Sequence, residues 1–136
     1  MPHVPRCITL KKKVDNIRIK VVDTRSKGST GEELAVRFLR RRGYRILCRN
    51  FRTKTGEIDI IARDKKSLVF VEVKLRESTS FGYPSESVGK TKISHIQKSA
   101  LFYITRYNLF DIPYRFEVVS ILKEGRGYKI DIIPLE

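Results

Sequence analysis

Gly56-Glu57-Ile58-Asp59-Ile60-Ile61-Ala62, followed after a short gap by Leu68-Val69-Phe70-Val71-Glu72-Val73-Lys74, is the stretch on which the fold turns. Both runs are rich in β-branched residues, and side chains alternate between faces along a strand. They read as two strands joined by a turn centred on Lys65-Lys66. That register sets Asp59 opposite Glu72 and Glu57 opposite Lys74. Val69, Val71 and Val73 then share an apolar face with Ile58 and Ile60, while Glu72 and Lys74 share the other with Glu57 and Asp59. Like charges directly opposed destabilise a sheet, because their Cβ atoms lie only about 5 Å apart. Two carboxylates held that close need a proton or a cation between them. A divalent metal beside a lysine meets that need and points to phosphate chemistry.

Magnesium takes oxygen ligands at about 2.1 Å, usually one or two carboxylates with water and substrate phosphate. Asp59 and Glu72 would supply the carboxylates and the backbone carbonyl of Val73 a third oxygen, with Mg2+ or Mn2+ as the ion. Lys74 would place its ammonium where negative charge grows during attack on a phosphodiester. Glu32 would complete the shell through water. The competing reading is a solvated strand face, with Glu57 and Lys74 an ordinary cross-strand pair contributing at most about 1 kcal/mol.

Outward from the two strands, the remaining elements follow from punctuation. Ser29 or Thr30 is placed to cap a first helix, with Glu32 and Glu33 in its first turn and Gly43 closing it. The Arg40-Arg41-Arg42 run suits the negative end of that helix better than contact with DNA. Tyr44 to Phe51 reads as an edge strand. Arg76 to Gly89 is a long polar loop, and loops of this length are often functional. A second helix is expected from Thr91 to Tyr107, with Ile93, Ile96, Ala100, Tyr103, Ile104 and Tyr107 as its apolar stripe. Phe116 to Leu122 and Tyr128 to Ile133 form two more strands. The order implies an α/β domain, a central mixed five-stranded sheet flanked by helices. Arg76, Lys90 and Lys92 flank the long loop and are candidates for phosphate contacts that position DNA without reading its sequence. Tyr44, Phe51, Tyr103 and Tyr107 read as core rather than as base-stacking platforms.

A chain of 136 residues fits one domain, here 28–136, preceded by a basic arm, 1–27, that is either disordered or an added edge strand. The arm carries eight basic residues against two acids. The whole chain has a formal charge of +14, which suggests a polyanionic partner, nucleic acid before membrane. Two distant cysteines, Cys7 and Cys48, make neither a disulfide scaffold nor a zinc cluster. No apolar stretch approaches the roughly 18 residues of a membrane span, and the N-terminus lacks a signal-peptide core. A cytoplasmic location is the resulting expectation.

At these residues the sequence resembles the YraN-like family of predicted endonucleases, part of the PD-(D/E)xK superfamily with a restriction-endonuclease-like fold. The matching stretches are Gly31-Glu32-Glu33-Leu34-Ala35, Arg42-Gly43-Tyr44, Gly56-Glu57-Ile58-Asp59 with Ile61-Ala62-Arg63, and Val69 to Lys74 followed by Arg76. Phe81-Gly82 with Pro84, and Arg115-Phe116 with Val118-Val119, match as well. The resemblance implies that Asp59 and Glu72 are metal-binding catalytic acids, Lys74 the catalytic lysine and Glu32 the helix-borne acid. It implies divalent-metal hydrolysis of DNA, with branched or structured DNA as a substrate class and a homodimer as an assembly to test, since similar junction-cutting enzymes are symmetric dimers. The alternative is a catalytically inactive nucleic-acid-binding or interaction module on the same fold. Two positions depart from the pattern: Leu75 stands where threonine is usual, and Glu117 where aspartate is usual. Leu75 is expected to point to the valine face, while the role of Glu117 stays open.

Overall fold

In the computed structural model, which describes residues 27–77 and 90–135, the two acidic runs form the hairpin that their alternation implies. Strand β2 spans Gly56–Asp64 and β3 spans Ser67–Arg76. They pair antiparallel from Asp64↔Ser67 to Ile60↔Val71, in the expected register. Lys65 takes the tight turn at φ 54°. Strand β1, Arg45–Thr53, pairs with β2 along one edge. Strand β4, Tyr114–Glu124, lies parallel to β3, and β5, Gly127–Leu135, closes the other edge antiparallel to β4. The mixed five-stranded sheet therefore runs in order β1-β2-β3-β4-β5.

Helix α1, Lys27–Arg41, and helix α2, Lys90–Arg106, are the two helices among the described residues. A parallel β3–β4 pair requires a crossover, and α2 occupies that connection. Each helix covers one sheet face. Ala35, Val36 and Leu39 of α1 bury against Ile60, Ala62, Val69 and Val71. Ile96, Ala100, Tyr103 and Ile104 of α2 bury against Phe51, Ile58, Ile61 and Phe70. Tyr103 anchors the second layer, edge-on to Phe51 at 5.2 Å and to Phe70 at 6.1 Å between ring centroids. Truncating a buried aromatic of this kind typically costs about 3–5 kcal/mol.

Two local expectations change. Helix α1 begins at Lys27, so Ser29 and Thr30 lie inside it rather than at its cap, and its first turn holds no acid. Glu32 and Glu33 are neutralised instead by Arg49 of β1, at 3.7 and 2.6 Å. The other end behaves as its glycine implies: Gly43 adopts φ 89°, and the Tyr44 N–H donates to Leu39 O at 3.0 Å. Second, Ile58 and Ile60 do not share a face, since Ile58 packs under α2 and Ile60 under α1. Residues 1–26 of the basic arm (1–27) and most of the 76–89 loop, with Phe81, Gly82 and Pro84, lie outside the described residues.

Two glycines set how closely the helices approach. A Cβ on Gly31 would sit 3.4 Å from Leu75 Cβ and 3.7 Å from Val73 Cγ1. The bare backbone thus lets α1 press onto the end of β3, which brings Glu32 beside that strand. Leu75 packs with the α1 layer, on the valine face as its register implied. A Cβ on Gly56 would lie 3.3 Å from His95 Cβ, so this glycine admits α2 against the start of β2. Thr53 and Ser99 hydroxyls, 2.9 Å apart, tie the β1–β2 turn to the same helix.

Candidate functional site

The face change in β2 creates the site. Between the pairs Arg49↔Ile60 and Phe51↔Ile58 stand Asn50 and Asp59. Asn50 has φ 53°, a left-handed conformation that asparagine tolerates better than most residues. Here both strands swap faces: Arg49 reaches the α1 acids while Phe51 joins the α2 core. The β2–β3 ladder ends at the same level, at Ile60↔Val71. Asp59 occupies the notch where the strands part, and its Oδ2 accepts the Val73 N–H at 2.8 Å. A side chain thereby satisfies a backbone donor that the ladder would otherwise take. Val73 contributes its N–H to Asp59, whereas the sequence predicts its carbonyl as a metal ligand.

Three carboxylates converge at this notch. Glu32 from α1, Glu57 and Asp59 each place an oxygen within 4.8 Å of the others. Glu57 joins this group and pairs with Arg52 at 3.1 Å, not with Lys74 as the ideal register implied. Its pairing changes because the strands diverge before residues 57 and 74 come level. Glu72 stands on the α2 side, 4% exposed, held by Lys74 Nζ at 3.6 Å and Lys92 Nζ at 3.2 Å. Its negative charge bears directly on Asp59. Asp59 and Glu72 thus meet, but Glu72 is not one of the three carboxylates whose oxygens converge.

The electrostatics follow from this crowding. Burial first, and the negative charge of Glu72 second, push the Asp59 pKa up to about 7, against a smaller downward pull from the Val73 N–H. Burial also raises Glu32, partly opposed by a hydrogen bond from Asn50 and the charge of Arg49. Asp59 therefore holds a proton near neutrality that a cation can replace. Three oxygen donors from two elements, α1 and β2, two of them half-buried, suit a hard divalent ion. Strongly perturbed acids of this sort cluster at functional sites.

Sequence reading named Asp59, Glu72, Lys74 and Glu32, and all four gather at this end of the sheet. Lys92, read as a phosphate contact, touches Glu72 directly. Arg76 ends β3, half-exposed, two residues beyond Lys74. Lys90 begins α2, and its side chain lies outside the described residues. Asn50 and Arg49 were missed. The available signal was an asparagine interrupting the apolar alternation of β1, a residue type that marks left-handed kinks.

Glu117 belongs elsewhere. It is buried toward the opposite end of the sheet, where it accepts from Tyr44 Oη at 2.8 Å and Arg115 Nε at 3.3 Å. Arg115 also binds Asp64 beside the β2–β3 turn at 2.7 Å. Its departure from the expected aspartate therefore serves this network and leaves the carboxylate notch untouched.

Fold and notch define a small α/β domain in which a half-buried carboxylate cluster sits at the parted ends of two sheet strands, with lysines beside it. Residues 31–121 match the model of the uncharacterised protein family UPF0102. The chain belongs to that family. It is 45% identical over 111 residues to a UPF0102 protein of Caldicellulosiruptor saccharolyticus, covering 82% of this chain and 94% of that one. A UPF0102 protein of Pelobacter propionicus is 50% identical over 77% of this chain and 76% of its own length. One from Persephonella marina is 48% identical over 73% and 85% respectively. Among the described residues no helix is long and apolar enough to cross a membrane.

Proposed function

We propose that this protein is a divalent-metal-dependent endonuclease that hydrolyses DNA phosphodiester bonds, with branched or structured DNA as its substrate. The observation that carries this reading is Asp59 in the strand notch, its carboxylate gathered with those of Glu32 and Glu57 and flanked by Glu72 and Lys74. Glu32, Glu57 and Asp59 would hold Mg2+ or Mn2+, with Glu72 behind Asp59. Bound there, the ion supplies neutralising charge for a phosphate and lowers the pKa of water. Asp59 gives up its proton to bind, which makes binding pH-dependent. The Val73 N–H fixes the Asp59 carboxylate in place. Arg49 holds Glu32 toward the notch from the neighbouring strand. Lys74, tethered by Glu72, keeps an ammonium beside the position where phosphate charge builds. Lys92 and Arg76 extend that positive rim for phosphate positioning.

The engagement of Glu72 by two lysines favours one second reading, a nucleic-acid-binding module whose acids are structural. Incubating the purified chain with linear, single-stranded and four-way DNA, with and without Mn2+, separates the two. The nuclease reading expects metal-dependent cleavage that Asp59→Asn abolishes while the domain stays folded. Binding without cleavage in any divalent metal supports the module instead.

A further inference from the structure

A second feature lies on the outer side of the β1–β2 turn. There the turn and the exposed face of α2 enclose a groove of about 890 Å³. Its floor is apolar and unusually open to solvent: Leu101 is 56% exposed and Phe102 53%. Its walls carry Arg52, Lys54, Lys98 and Arg106, and no acid is among the described residues that line it. Phe102 is steadied from behind by Phe51, with ring centroids 6.2 Å apart, so its outward face is a fixed platform. The Thr53–Ser99 hydroxyl pair fastens the turn to the helix beneath the groove. Arg52 links this groove to the carboxylate notch, because its guanidinium binds Glu57 at 3.1 Å.

We propose that this groove holds an unpaired nucleic-acid strand, one base stacking on Phe102 while Lys54, Lys98 and Arg106 contact its phosphates. Charge selects the occupant. A second copy of a chain carrying +14 is repelled by four cations, and so is the chain's own basic arm. A polyanion with flat apolar faces matches both the walls and the floor. A flat lipid surface matches the walls but not a groove closed on two sides. The placement makes Arg52 the hand-over point, so a strand leaving the groove runs toward Glu57 and Asp59. The proposal deepens the nuclease reading and rests on its nucleic-acid partner, but not on hydrolysis.

The test is fluorescence anisotropy in EDTA with labelled oligo-deoxythymidine, oligo-uridine and a blunt duplex, on the full chain and on Phe102→Ala, Phe102→Trp and Lys98→Glu. Stacking of one base predicts that Phe102→Ala weakens single-strand binding about tenfold, while duplex binding changes less than about twofold. Phe102→Trp restores the affinity. Lys98→Glu lowers the slope of log affinity against log salt by about 0.7. Unchanged urea midpoints confirm that the variants fold. The deoxy and ribo arms report which strand chemistry the groove prefers. Equal single-strand affinity in Phe102→Ala and wild type overturns the proposal, as does a loss shared equally by the duplex. Phosphatidylserine vesicles that bind wild type and lose binding in Phe102→Ala, with oligonucleotide unaffected, overturn it in favour of a membrane surface. Groove-dependent binding without Mn2+-dependent cleavage sinks the nuclease reading alone, and cleavage with no effect of Phe102 sinks the groove alone.

Discussion

Replacing Asp59 with asparagine should make the metal-free protein more stable at alkaline pH while removing its activity. Asp59 has a folded pKa of about 7, raised from an ordinary 3.8 by burial and by Glu72. Its proton is held more tightly in the folded state, so its contribution to stability is fully present below about pH 4. That contribution falls as pH rises toward 7 and is gone above. The difference between the two pKa values makes the folded protein carry a penalty of about 4 kcal/mol at pH 8. Asparagine has no charge to bury and keeps an oxygen for the Val73 N–H. The pull of that 2.8 Å bond on the charged form is already contained in the raised pKa. Asp59→Asn should therefore exceed wild type by about 4 kcal/mol at pH 8 and by less than about 1 kcal/mol at pH 4. Urea unfolding in EDTA at both pH values, read by circular dichroism, measures the two differences. A variant less stable than wild type at pH 8, or a gap of the same size at both, would refute the reasoning.

Three further outcomes test separate parts of the structure. Gly31→Ala should be near neutral in urea unfolding, since the new Cβ meets Leu75 at 3.4 Å while the helix gains up to about 1 kcal/mol of propensity; Gly31→Val should cost about 1–3 kcal/mol by lifting α1 from β3. Glu117→Ala should cost about 1–3 kcal/mol by removing the acceptor shared by Tyr44 Oη and Arg115 Nε, and should leave Mn2+ affinity, measured calorimetrically, unchanged. Lys74→Met should lower Mn2+-dependent cleavage by about a hundredfold or more while retaining Mn2+ binding, as measured by nicking kinetics and titration on the same preparation.

The hairpin was legible because its information is local. Alternation from Ser67 to Arg76 and the lysine turn fix register without reference to any other element, and Leu75 fell on the face that register gave it. The Asp59 notch was not legible, because an ideal strand carries Asp59 and Glu57 on one face with Ile58 and Ile60 on the other. The change of face depends on Asn50 in the neighbouring strand, a two-strand event that single-strand periodicity cannot encode. Lys92 and Glu72 meet only because the crossover returns α2 to the end of β3. Glu117 needed Tyr44, 73 residues away in sequence, before its role had a physical meaning. The first turn of α1 was misread for the opposite reason: Ser29 and Thr30 are good caps locally, but the helix begins ahead of them.

Whether the carboxylates of Glu32, Glu57 and Asp59 act together on a cation is decided most directly by calorimetric titration of Mn2+ into the full chain at pH 6 and pH 9. Because the ion must displace a proton from Asp59 at the lower pH, a saturable site is expected with proton release at pH 6, little release at pH 9, and no binding in Asp59→Asn. Absence of a saturable site at both pH values, or identical binding in the Asp59→Asn variant, would contradict the account.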